Sequence, residues 1–437
     1  MQAMGSHTTG DDNTALGHSA LFANTTASNN TAIGRFALGA NTTGATNTAV
    51  GAFALDANTT GADLVALGAY ALTKSTTGVR NTAIGRATLE ENTTESDNTA
   101  VGHYSLLSNT ASNNTGIGSY ALKANTTGTY NVALGVEALD HNTTGSSNTV
   151  VGAYALDANT TASNNTAVGI QALGSNTTAS DNTAVGANAL GTNTTGAYNT
   201  AVGYGALQLN TTARDNSALG YKALEANTTG TANTGLGYQA LRQTTTGSAN
   251  TAVGYTALDA NTTGGNNVAV GGRALDVSTT GSNNTAVGQD SLGANTTGGY
   301  NITIGVNALE QNTTSSHNTA VGYEALEENT TGEENIAVGN YALDANTTGG
   351  KNVAIGYGSL GANSTGSNNT SFGYGSMGNN STAGNNTAYG HYALHANTTG
   401  TANVAVGAYA LDSNTTADYN TAFGYSALGL NTTGTQN

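Results

Sequence analysis

The chain has 437 residues, no Pro, Cys or Trp, 8% charged residues and a net charge of −16. Without Cys there is no disulfide, thiol nucleophile or Cys-based metal site, and so acidic a chain lacks the basic stripes of a nucleic-acid binder. No apolar run is long enough to span a bilayer as a helix, and the N-terminus lacks the basic and apolar regions of a signal peptide.

From its first residues the chain keeps one phase. Met1 to Gly10 lies over Ile170 to Ala179, and from Asn30 the pattern is N-T-A-(V/I/L)-G-x-x-A-L-x-x-N-T-T-G-x-x, seventeen positions long. Its anchor glycines recur as Gly34, Gly51, Gly68, Gly85 and onward to Gly407 and Gly424. A fixed period of this size marks a repeat protein, read here as one continuous array over residues 1–437.

Gly and Asn in every unit, and β-branched residues before each Gly, work against helix. No i, i+3, i+4, i+7 apolar stripe fits within a unit, whereas short β segments bounded by Asn or Gly do. The expected fold is all-β, a parallel β-solenoid (β-roll or β-helix) with one repeat per coil. Roughly 25 coils at about 4.8 Å each would make a rod about 120 Å long. Neither end departs from the repeat, so the reading has no terminal caps and ends that stack on other copies or continue a longer chain.

Within each unit two slots read as core: the aliphatic residue before the Gly and the Leu four places after it. The expected core therefore includes Ile33, Leu38, Val50, Leu55, Val202, Leu207, Leu224, Val253 and Leu258. Stacked coils place each corner Asn over the next, so Asn41, Asn58, Asn210 and Asn227 are read as an amide ladder, with the Asn30 column laddering likewise. Phe372, Tyr389 and Phe423 enlarge the aliphatic slot and predict a wider coil there. The unit between Gly102 and Gly118 is one residue short, at Asn109–Ser112, which predicts a tightened corner. Leu64, Ser75, Thr244 and Ser278 interrupt the Asn columns.

The positions just after the Gly accept almost any residue and read as surface. Tyr204, Tyr221, Tyr238 and Tyr255 fill one such slot in four successive units, and exposed tyrosines of this kind are the candidate interface. Acidic residues five places after the Gly, such as Glu310, Glu327 and Asp344, read as a solvated acidic face. The Thr columns through Thr42 and Thr48 offer a regular surface of the type that could bind ice, and the Asn-Thr-Thr sequons read as corners and ladders rather than glycan acceptors. Seven scattered His give no metal-ligand set, and no nucleophile–base pair appears. The expectation is therefore no enzyme activity, no metal and no cofactor.

The Asn-Thr-Ala-Val-Gly-x-x-Ala-Leu run followed by Asn-Thr-Thr-Gly resembles repeats of bacterial surface and phage tail-fibre proteins. More distantly it is similar to the β-roll head repeats of trimeric autotransporter adhesins. The resemblance implies a parallel β-roll in a surface-exposed fibre or adhesin, with trimerisation as one assembly. Together with the thin core, it leads to an expected structural extracellular fibre whose rods assemble end-to-end or laterally. The alternative is a ligand-binding solenoid for ice or glycans. Expected partners are other copies of the chain and host or cell-surface glycans, with no nucleic acid and no membrane insertion. The expected location is the cell surface or the extracellular space, or else a phage virion fibre.

Overall fold

In the computed structural model, which describes residues 2–437, every repeat contributes one three-residue strand and one coil. Met1, which begins the in-phase N-terminal stretch, lies outside the described residues. The chain divides into two compact units, one ending at Asn216 and the other spanning Ser217–Asn437. The first holds β1 (Thr14–Leu16) through β12 (Thr200–Val202), the second β13 (Ser217–Leu219) through β25 (Thr421–Phe423). Within each unit successive strands pair in parallel and in register, as in Thr31↔Thr48, Ala32↔Ala49 and Ile33↔Val50. This is a parallel β-solenoid of 17-residue turns, and the described residues contain no helix.

The strand is short because Gly ends it. Gly34 has φ of 138°, where an L side chain is strained, and a Cβ there would sit 2.4 Å from the carbonyl oxygen of Gly51 in the next coil. The chain then runs through consecutive turns in which the second and fourth residues after the Gly are left-handed: Phe36 at φ 58° and Leu38 at φ 49°. These two conformations aim the backbone in opposite directions. The Phe36 N–H donates to His18 O in the preceding coil, and the Leu38 N–H donates to Ala54 O in the following one. A left-handed non-Gly residue costs about 1–2 kcal/mol, yet Leu fills the fourth position in nearly every coil. Burying its side chain returns about 1.5–3 kcal/mol, which decides the matter in favour of Leu over Gly.

The interior is narrow. In a typical coil it holds Ala32, Ala37 and Leu38, all fully buried, together with the two side chains Asn30 and Asn41. Where a hydroxyl replaces an interior Ala, it finds a partner: Ser291 Oγ lies 2.7 Å from Thr303 Oγ1, and Ser359 Oγ lies 2.7 Å from Ser371 Oγ.

Both Asn columns are hydrogen-bonded throughout their regular stretches. The Asn58 amide donates to Asn41 Oδ1 at 2.9 Å and to its own corner carbonyl, Gly61 O, at 3.0 Å. Asn210 repeats this with Asn193 Oδ1 at 2.8 Å, and Asn227 caps its corner at Gly230 O. In the second column the side chain acts on the neighbouring backbone: Asn30 Oδ1 accepts from the Asn47 N–H at 2.9 Å. Buried and bonded on both sides, these Asn have no room for a glycan in the folded coil.

The short unit is accommodated at its corner, where Asn109 bonds Ala111 O, two residues on, instead of the usual third. The flanking strands keep their register, Thr99↔Thr115. Ladder interruptions are less well tolerated. Around Ser75 the Asn58 Oδ1, the Ser75 hydroxyl and both amide atoms of Asn92 are buried without a hydrogen-bond partner. Ser75→Asn is therefore expected to stabilise the first unit by about 2 kcal/mol, since each restored bond is worth about 0.5–1.5 kcal/mol. Urea denaturation measures this, and an unchanged midpoint would count against the ladder as a stabilising element.

Candidate functional site

Four faces of the coil were candidates on sequence grounds, and the structure sorts them by what already occupies their polar groups. The strand face brings the largest correction. Ile33 is 36% exposed, and Val50, Val202 and Val253 are half-buried, so the aliphatic residues placed in the core lie outside it. Successive strand residues point to opposite faces. Once Ala32 points inward, Thr31 and Ile33 must point outward. Leu38, Leu55, Leu207, Leu224 and Leu258 are fully buried. The same alternation applies to Phe372, Tyr389 and Phe423. They do not widen the coil; they are 39%, 55% and 84% exposed on its outside, and the rings of Phe372 and Tyr389 stack at 4.8 Å.

The strand face is therefore a flat surface with two columns, one of Thr with some Val, Ile and one Ser, the other apolar apart from the hydroxyl of Tyr389. No charged residue occurs at any outward strand position in either unit, although the chain carries 26 Asp and Glu. The apolar column amounts to about 300 Å² per unit, the size of patch that on a monomer is often functional.

Beside it, one place past the Gly, stand the tyrosines. Tyr204, Tyr221, Tyr238 and Tyr255 are 49%, 43%, 44% and 60% exposed. In the second unit Tyr221, Tyr238 and Tyr255 stack with centroids 5.3 Å apart and planes within 9°. Ring faces so stacked are covered by their neighbours, and the edges and hydroxyls are what the column presents. A second aromatic column escaped the sequence reading: Phe36, Phe53 and Tyr70, two places past the Gly, stack at 5.5 and 5.3 Å. Their 17-residue spacing was the available signal.

The Thr column of the corner is already committed, because Thr42 Oγ1 donates to Thr59 O in the next coil at 3.0 Å and its equivalents repeat the bond. The acidic column is less solvated than expected. Burial raises the carboxyls of Asp56, Asp140, Asp157 and Asp276, and lifts Asp344 to about 6. Glu327 is pushed to about 7, first by burial and then by Glu324, Glu310, Glu328 and Asp344 around it. Elsewhere the sheet of charges is paired from coil to coil. Arg242 grips Asp259 at 2.9 and 3.0 Å, and Arg80 pairs with Asp97, both at a spacing of one repeat. The 17-residue spacing of these opposite charges is legible in the sequence. The first pair is half-buried and the second exposed, where solvent screens it.

Among the described residues no group of three His, Asp or Glu is placed to hold a metal ion, and no helix is long and apolar enough to cross a membrane. A groove between the outer turns lies along Tyr154 to Gln208 in the first unit, and further openings lie beside Gly293 and beside Lys351 in the second. In comparison with known proteins, no family model and no curated protein matches this chain.

Proposed function

We propose that this chain is a structural, non-catalytic fibre protein whose solenoid packs side by side with other copies of itself through the strand face. The observation that carries this reading is the uncharged apolar column on a chain whose 26 Asp and Glu all lie elsewhere. Two copies can bring these faces together without charge repulsion, and sheets pack face to face at about 10 Å. The column repeats at the strand spacing, and only a surface of the same period meets it at every rung; a second copy has that period by construction. Twelve strands of three residues present about 600 Å² of flat face per unit. That approaches the roughly 800 Å² per partner of a standard interface, and the flanking columns add to it. The repeat resemblance favours an extracellular or cell-surface setting, with a virion fibre as the alternative.

The triple variant Val168→Lys, Val185→Glu, Val202→Lys tests it. The three side chains point outward, and neighbouring opposite charges attract across strands, so the fold is expected to survive with unchanged circular dichroism. In sedimentation velocity the unaltered chain should form dimers or larger assemblies, and the variant should remain a monomer. A monomeric unaltered chain at high micromolar concentration would remove the basis of the proposal.

A further inference from the structure

In two successive coils of the first unit the repeat loses bulk on its outer turns, and there it opens a groove of about 400 Å³. The slot five residues after the anchor Gly holds Asp157, then Gly174 and Gly191, then Gln208 in successive coils. The two glycines form the floor. A Cβ at Gly191 would meet only Asn188 of its own turn, so no neighbouring side chain fills the space. The paired glycines Gly361 and Gly378 do not give the same opening, because His395 lies over Gly378, its ring nitrogen 2.7 Å from where a Cβ would be.

The lining defines the ligand chemistry. Tyr154 and Asp157 stand at one end, Gln171 and Asn188 along a wall, and Gln208 at the other end. No cation faces the groove, which disfavours an anionic ligand. One carboxylate is too few for a calcium site, which takes six to eight oxygens. No aliphatic side chain lines it, so an apolar ligand gains nothing. What remains is a set of amides that both donate and accept, and among the described residues no protein group hydrogen-bonds the side chains of Gln171, Asn188 or Gln208. Tyr154 is 42% exposed and, unlike Phe53 and Tyr70, has no ring stacked on it. An exposed aromatic ring beside unengaged planar amides offers groups for both sides of a sugar ring, its C–H patch and its vicinal hydroxyls.

We propose that this groove binds a short neutral oligosaccharide lying across the coils. Four coils span about 14 Å between first and last, longer than one ring requires. Tyr154 stacks on a sugar, Asp157 accepts from adjacent hydroxyls, and Gln171, Asn188 and Gln208 bridge the remainder. The groove lies on the turns, away from the strand face, so it acts whether or not copies assemble.

Saturation-transfer NMR on the full chain with maltotriose, cellotriose and tri-N-acetylchitotriose, each at a concentration on the order of 1 mM, tests the proposal. Transfer to at least one trisaccharide is expected. Gly191→Arg should weaken that binding at least tenfold by filling the groove, and it should fold, because Arg242 occupies the same slot in another coil. Tyr154→Ala should weaken it severalfold, with Ala87 showing that the slot accepts Ala. Gly293→Arg, the same slot in the second unit, should leave binding unchanged. Absence of transfer to all three sugars, or binding that persists undiminished in Gly191→Arg, overturns the assignment.

Discussion

Gly169→Ala is expected to destabilise the first unit by about 4 kcal/mol and to open the coils on either side of it to protease. Two effects add. At φ of 134° an alanine occupies a conformation that costs about 1–3 kcal/mol. Its Cβ would also sit 2.6 Å from the carbonyl carbon and oxygen of Gly186, a backbone that cannot retreat without breaking the next rung, and overpacking of this kind costs a further 1–3 kcal/mol. Because coils hold one another mainly through nearest neighbours, the damage should be local first, with cleavage appearing near residue 169 before the rest of the chain. The comparison variant is Gly174→Ala in the same coil. Gly174 has an ordinary φ, and its added methyl would approach nothing closer than 3.3 Å. Its urea midpoint should be nearly unchanged, and equal losses in the two variants would show that the anchor glycines are not the constrained corners described above.

The second large effect is expected at Asn142→Ala, about 3 kcal/mol. Asn142 donates to Asn125 Oδ1 at 2.8 Å and to Gly145 O at 2.9 Å, and accepts from the Asn159 amide at 2.8 Å. Truncation removes all three bonds, but the partners fare differently. Gly145 O keeps the Asn131 amide at 2.8 Å, and the Asn159 amide keeps Ala162 O. Asn125 Oδ1 loses its side-chain donor in the interior, and one such orphan costs about 1–3 kcal/mol; the emptied volume supplies the rest. Asn164→Ala, at an exposed corner where the amide only reaches Asp181, should cost under about 1 kcal/mol by the usual range for surface changes. If thermal denaturation finds the two alike, the buried amide ladder is not a principal source of stability.

Both effects arise from residues whose role could be read before any coordinates. The repeat period, the short strands bounded by Asn and Gly, the parallel stacking and the buried Leu column all follow from local rules. The anchor position, at φ near 135°, needs Gly, and a fixed period needs identical neighbours to bury it. The aliphatic slot recurs as strictly as a core column would, and recurrence alone points to burial. One sign against that lay in the sequence: the slot also accepts Phe372, Tyr389 and Phe423, which a closed interior of constant width would not, whereas its neighbour is almost always Ala.

The groove illustrates a different kind of gap. Gly174 and Gly191 are visible as glycines, but so are Gly361 and Gly378. Only the placement of His395 over the second pair distinguishes a filled slot from an open one. A side chain's reach across coils is not a property of its own repeat.

By itself, the sequence determined the coil: its length, its strand, its corners and the Asn and Leu that recur inside it, because these depend on backbone conformation and on period. The tertiary structure alone decided which side of the strand is in. A coil of seventeen residues encloses a space that holds Ala at the strand and Leu at the turn, so alternation sends Val and Ile outward. A residue pattern that looks like a core thereby becomes a surface.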